Sequence, residues 1–293
     1  MSSRFLVRPH DGGRDALGRP VDVDVEAAAA GWRFLSFSAR AVTPDAPLRG
    51  TTGTREALVV TLSGGLRVEA DGATYLLEGR ASVFAGMPWA LYLPRKTRYA
   101  IAPLGPVSTL AIGMAEARRR LEPRLIAPDD VETEIRGAGN ATRQINHLVM
   151  PDFPADRLLA VEVYTPAGGW SSYPPHKHDE HDPPREAILE EIYFYQVARP
   201  EGFGIQRLYR RDGSLDEAVT VRHGDLCLVP YGYHPFVAGH GFDCYYLNAL
   251  ACEGDWRTMA ASFDPDLDWT RVAWEGMAPD PRLPMVRRRE AAA

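Results

Sequence analysis

The run Gly224-Asp225-Leu226-Cys227-Leu228-Val229-Pro230-Tyr231-Gly232-Tyr233-His234 decides how the chain is read. Four successive apolar residues make a buried strand, and Pro230, which lacks an N–H, ends its ladder. Gly232 permits a sharp turn, after which His234 enters a second strand. Tyr92-Leu93-Pro94-Arg95-Lys96-Thr97-Arg98-Tyr99-Ala100-Ile101-Ala102 follows the same order: apolar strand, proline, turn, apolar strand. In that alignment Arg98 stands where His234 stands, and Gly105 falls opposite Gly241. A motif written twice, about half a chain apart, indicates two β-lobes related by a diverged repeat.

Outward from these two runs, the 26 glycines and 24 prolines recur at short intervals. Between them lie short segments rich in Val, Ile, Leu, Tyr and Phe, at 57–62, 66–70, 74–77, 90–93, 159–165, 192–196, 204–209, 226–229 and 245–250. Short strands separated by turn residues such as Ser63-Gly64-Gly65 and Asp212-Gly213 describe an all-β sandwich or barrel. Residues 115–121 are one short helix candidate. The polar stretch around Arg136-Gly137-Ala138-Gly139-Asn140 reads as a connection. The expected organisation is an N-terminal lobe at 1–125, a connecting segment at 126–155, a C-terminal lobe at 156–270 and a tail at 271–293.

With 293 residues, two domains of ordinary size can each bury a core. A net charge of −6 argues against nucleic acid as the main partner, because phosphate contacts need a basic surface. The one basic cluster, Arg287 to Arg289, reads as a solvated tail. Three cysteines, Cys227, Cys244 and Cys252, form no CxxC pair, which suits a reducing cytoplasm. The start carries no signal-like apolar run, and no stretch of about 18 apolar residues suggests a membrane span. Neither a dinucleotide nor a phosphate-loop glycine fingerprint is present. A cytoplasmic enzyme acting on a small molecule is the expectation.

Histidine is concentrated: six of the eight lie between positions 176 and 240. In Pro174-Pro175-His176-Lys177-His178-Asp179, an extended backbone turns His176 and His178 to one face, so both imidazoles can reach one ion. Glu190-Glu191 opens the next apolar strand, Ile192-Tyr193-Phe194-Tyr195. A carboxylate there is costly to bury unless paired or metal-bound. Alternation places Glu191 on the face of Tyr193 and Tyr195 and Glu190 outside. With His234, the set His176, His178, Glu191 and His234 suits a divalent metal, Zn or Mn first, with Fe or Ni as alternatives. Lys177 alternates with the pair and should face away. His181, His223 and His240 sit in polar, glycine-rich surroundings and read as surface residues, while His10 and His147 have no ligand-like neighbours.

His-x-His, Glu, then Gly-x5-Pro-x-Gly-x-His resembles the cupin superfamily. The stretches Trp170-Ser171-Ser172-Tyr173-Pro174-Pro175-His176-Lys177-His178-Asp179, Leu189-Glu190-Glu191-Ile192-Tyr193 and Tyr231-Gly232-Tyr233-His234-Pro235 are similar to the bacterial 5-deoxy-glucuronate isomerases of myo-inositol catabolism. So are Tyr245-Tyr246-Leu247-Asn248, Asp264-Pro265…Trp269, Arg136-Gly137…Gly139-Asn140…Arg143 and Gly79-Arg80…Val83-Phe84. The likeness covers nearly the whole chain. One departure is the insertion from His181 to Ile188 between the His pair and the Glu.

The resemblance implies a bicupin and a metal-dependent aldose–ketose isomerase that converts 5-deoxy-D-glucuronate to 2-deoxy-5-keto-D-gluconate, working as a homo-oligomer. Arg207 and Arg143 are candidates to bind the substrate carboxylate, because a guanidinium fork matches that group. Gln206 and Tyr246 are candidate pocket residues. The rival readings are the sister 4-deoxy-threo-hexosulose-uronate isomerases of pectin breakdown, an Fe(II) cupin dioxygenase, and a non-catalytic sugar-binding cupin. Arg98 in the place of His234, and the lack of histidine over 48–69, make the first lobe an expected metal-free barrel.

Overall fold

The computed structural model describes residues 3–288. The chain divides into two compact units. Among the described residues, one holds Pro9–Glu132 with Pro154–Leu158 and 285–288; the other holds 3–8, Thr133–Phe153 and Leu159–Pro284. Both are built from antiparallel strands, and each of the nine segments read as strands lies inside an observed strand.

The first unit is organised by one long strand, Arg55–Ala70. Its first half pairs with Ala90–Leu93 and Ser108–Glu116, and its second half with Ala73–Arg80 and Arg98–Pro103. The change of partners coincides with register shifts between Thr61 and Ser63 and between Gly64 and Leu66. Glycine is required there: a Cβ on Gly79, whose φ is 79°, would stand 1.9 Å from Gly64 O. Val59, Leu66, Val68, Leu91, Leu93, Ile101 and Ile112 pack inside the unit. The helix expected at 115–121 does not form. Ala115 instead pairs with Leu35 on one side and Glu56 on the other, so ladder hydrogen bonds override local propensity. Arg98 is exposed at the start of its strand.

The second unit is a sandwich. Its larger sheet runs in the order Leu6–Val7, Leu226–Val229, Leu189–Val197, Cys244–Cys252, Leu158–Thr165, Arg143–Val149, Glu132–Arg136. A four-stranded sheet, Trp170–Ser171, Phe236–Ala238, Gly204–Tyr209, Asp216–Val221, supplies the other layer. Ile145, Val161, Val163, Tyr195, Leu208, Val219, Phe236 and Tyr246 fill the space between. At full burial such side chains each contribute roughly 1.5–3 kcal/mol.

The expected boundaries change accordingly. The segment 126–155 is no linker, because Arg143–Val149 pairs along Leu158–Thr165, with Ile145 opposite Val163 and His147 opposite Val161. The first residues belong with the C-terminal unit, where Leu6 pairs with Cys227. Part of the expected tail also belongs there, since the short 3-10 helix Asp268–Trp274 packs in the same unit. Of the basic cluster, Arg288 donates to Val131 O, and Arg289 lies outside the described residues.

Candidate metal centre

The strand Leu189–Val197 turns Glu191 inward, with only about 4% of it exposed, while Glu190 on the opposite face is partly exposed. Glu191 pairs with Val229 at the end of the apolar strand that leads into the turn. Gly232 makes that turn at φ 83°, where a Cβ would press to 2.7 Å from Tyr209 O. The turn drops His234 into the interior, fully buried.

Asp179 ties the His-Lys-His segment to this turn by accepting from Gly232 N at 2.9 Å and from Lys177 Nζ at 2.9 Å. The insertion from His181 to Ile188 has a use here. Its buried Glu186 accepts from Lys177 Nζ at 2.9 Å and from the backbone N–H of Asp179 and Glu180. Lys177 is thus the centre of an ion-pair cluster that holds the flanking histidines in place.

Nitrogen and oxygen atoms of His178, Glu191 and His234 lie within 4.8 Å of one another, all three residues buried. His178 Nδ1 is 3.0 Å from Leu189 O, and His234 Nδ1 is 2.9 Å from Gly232 O. A carbonyl only accepts, so each Nδ1 carries the proton and each Nε2 is left to point inward. There, His178 Nε2 is 2.7 Å from Glu191 Oε2. His234 Nε2, buried and without a hydrogen bond, is 3.2 Å from the same oxygen. Burial pushes the Glu191 carboxyl up, but the two histidines outweigh it and hold it down to about 2. Burial likewise opposes charge on His178, yet its bond to Glu191 keeps its pKa above the ordinary histidine value. Two imidazole lone pairs and a carboxylate facing one point need a proton or a cation between them. This donor set fits a divalent metal, and the carbonyls behind each imidazole are the outer support such sites use.

His176 is placed differently. Its ring centroid is 4.7 Å from that of His234 and 6.2 Å from that of His178, and it is partly exposed. It stands outside the tight trio and lines a cavity of about 440 Å³ within the same unit. Burial, then the neighbouring His234 and His178, hold its pKa well below the ordinary histidine value. The short ladder between His176–Lys177 and Ser262–Phe263 fixes it, with His176 opposite Phe263. The C-terminal residues Met259, Phe263, Arg271 and Trp274 form one wall of the cavity. Arg136, Arg143, Ile145 and His147 form another.

The remaining expected site residues separate. Arg143 is buried and lines the cavity. Its one side-chain hydrogen bond among the described residues goes to Ala141 O. The glycine-rich turn before it is its seat, since a Cβ on Gly137 would stand 3.0 Å from Arg143 Nη1 and 2.1 Å from Ala141 O. Desolvation lowers its pKa to about 10, which leaves it charged at neutral pH. Arg207 corrects the expectation: it lies on the outer face of Gly204–Tyr209, paired with Asp216 at 2.8 Å, because one step along a strand reverses the face. Gln206 faces inward but is bonded to Tyr195 Oη and to His234 O, so it braces the His234 backbone rather than opening on the cavity. Tyr246 is buried, 3.4 Å from Ser172 Oγ and packed on Tyr193, which in turn lies against His234.

His181 and His240 are exposed, and His223 is partly buried. His147 is the residue that motif reading passed over. The period-2 alternation Arg143-x-Ile145-x-His147, on the cavity face of one strand, was the available signal.

The family described as KduI/IolB matches residues 6–270. The 5-deoxy-glucuronate isomerase of Geobacillus thermodenitrificans (strain NG80-2) is 40% identical over 269 residues, covering 91% of this chain and 96% of that protein. That of Listeria monocytogenes serovar 1/2a is 34% identical over 260 residues, covering 87% and 94%. The crystal structure of an IolB-like protein from Salmonella typhimurium LT2 superposes with a TM-score of 0.84 at 30% identity, over 91% of this chain and 99% of that one. Lactobacillus farciminis oxalate decarboxylase, at 11% identity and a TM-score of 0.63 over 91% and 90%, shares the fold.

Proposed function

The chain belongs to the KduI/IolB family, and from that premise we propose that it isomerises 5-deoxy-D-glucuronate to 2-deoxy-5-keto-D-gluconate with a divalent metal. The observation that carries the metal-dependent part is the buried convergence of His178, Glu191 and His234 beside a cavity lined by arginine. The relatives' shared name supports the substrate.

In this reading His178, Glu191 and His234 hold the ion, with His176 as the fourth ligand from the cavity side. The donor set favours Zn or Mn. When bound, the metal supplies a positive charge against the negative charge that develops on the sugar oxygens. Gln206 keeps the His234 backbone in place through its bond to the carbonyl. Asp179 and Lys177 fix the turn and the His pair.

Arg143 binds the substrate carboxylate. Among the cavity arginines, Arg136 is paired with Glu134 at 2.6 Å and Arg271 with Asp268 at 2.6 Å, whereas Arg143 has no carboxylate partner among the described residues. A buried cation without a counter-ion is costly, and an anionic substrate removes that cost on binding.

The test is turnover of 5-deoxy-glucuronate by the metal-loaded protein without oxygen or nicotinamide, followed as loss of aldehyde and gain of ketone. Turnover of the deoxy-hexosulose uronate alone contradicts the substrate. Oxygen uptake in step with product contradicts the isomerase.

A further inference from the structure

We propose that His147, oriented by Glu134, is the acid–base group that carries the proton between C2 and C1 of the sugar. The inference rests on the isomerase reading and adds the residue that performs its proton transfer.

An aldose–ketose isomerisation needs one group able both to take and to return a proton. Most of the cavity wall cannot do so. Ile145, Met150, Val161, Pro174, Met259, Ala261, Phe263 and Trp274 are inert, and Arg136, Arg143 and Arg271 are cations with no lone pair to offer. That leaves His176, Tyr173 and His147. His176 stands against the metal trio and is assigned as a ligand. A phenol is a weak base at neutral pH.

His147 has the arrangement expected of a general base. Its Nε2 is 3.3 Å from Glu134 Oε2, and Glu134 is itself held by Arg136 through both oxygens, at 2.6 and 2.7 Å. Arg136 keeps the Glu134 carboxyl below the ordinary carboxylate range, so Glu134 is an anion that can orient and stabilise a charged imidazole. His147 and Arg143 share one face of Arg143–Val149, four residues apart. At a rise of roughly 3.3 Å per residue their backbones are about 13 Å apart, a span that the two side chains narrow toward the length of a six-carbon acid.

The step balances without an oxidant. His147 takes the proton from C2, and the C2–H electron pair becomes a C1=C2 double bond. The C1=O π pair moves onto O1, which receives the hydroxyl proton of C2. Collapse of the second oxygen to C2=O then drives return of the proton from His147 to C1. Glu134 is a positioning residue in this scheme.

His147→Asn and His147→Gln are assayed on 5-deoxy-glucuronate in deuterated water, with wild type alongside and bound metal and Tm measured on each. The expected result is a fall in kcat of roughly 100-fold or more, with unchanged metal content and Tm. Incorporation of deuterium at C1 slows in parallel. Glu134→Gln should lower kcat more than it raises KM and move the acid limb of the pH profile, which a purely structural ion pair would not do. If either folded His147 variant keeps kcat within threefold of wild type, the inference is overturned while the isomerase reading stands. If wild type itself leaves 5-deoxy-glucuronate unchanged, the isomerase reading fails and takes this inference with it.

Discussion

Arg143→Met should make the protein more stable and a worse enzyme. In the folded protein Arg143 is 6% exposed, and desolvation lowers its pKa from the ordinary arginine value to about 10. For a base, a depressed folded pKa means that the native state binds the proton less well than the unfolded chain. The penalty is therefore complete at every pH below about 10 and fades only as pH rises beyond that toward the ordinary arginine value. Its size is roughly 3 kcal/mol. Methionine fills much of the same volume without charge, so Tm at pH 7.5 should rise by several degrees, at roughly 2–4 °C per kcal/mol for a chain of this size. The lost fork to the substrate carboxylate costs about 3 kcal/mol, a fall of roughly 100-fold in kcat/KM that appears mainly in KM. Arg143→Lys should recover part of the KM, since it returns a point charge without the fork. Thermal melts and steady-state kinetics on the three proteins settle the matter. A methionine variant that melts lower, or one that keeps kcat/KM within threefold, refutes the assignment of Arg143 as a cation held ready for an anionic ligand.

Gln206→Leu removes the brace on His234 and should weaken metal affinity about tenfold, read by competition with a chromophoric chelator. Arg207→Ala, by contrast, breaks an exposed pair with Asp216 and a cation–π contact with Tyr209 on the outer face, and should change stability only slightly and kcat/KM not at all. Asp156 in the first unit accepts from Arg118 N at 2.5 Å and from Arg119 Nε at 2.8 Å; burial raises its pKa, but these donors outweigh it and hold it low. Its stabilisation is present above the unfolded carboxylate pKa of about 3.9 and is lost as pH falls through the lower folded value. Wild type should therefore exceed Asp156→Asn by about 2 kcal/mol at pH 7, with the gap closing below about pH 4 in denaturant titrations.

The strands were legible because their apolar runs are bounded by Pro and Gly. Glu191 was legible because alternation along one strand distinguishes it from Glu190. The same rule applied to Gln206 and Arg207 shows that both cannot face the interior, and Arg207 is the one turned out to Asp216. What could not be read is what depends on distant segments. His147 becomes a cavity residue only because Arg143–Val149 joins the sheet beside Leu158–Thr165. Trp274 and Arg271 become cavity walls only because Ser262–Phe263 pairs with His176–Lys177. Residues 115–121 looked helical because alanine and arginine favour helix locally, and the two neighbouring strands that claim Ala115 lie far away in sequence.

The central claim is that the His178, Glu191 and His234 cluster holds the ion on which the isomerisation depends. Its most direct measurement is bound divalent metal and rate of aldehyde-to-ketone conversion of 5-deoxy-glucuronate, taken on the same sample as a chelator strips the protein and metal is then restored. The account predicts a rate that falls in proportion to metal, returns with it, and is absent in Glu191→Gln together with stoichiometric metal. Full turnover by protein shown to be metal-free would contradict it.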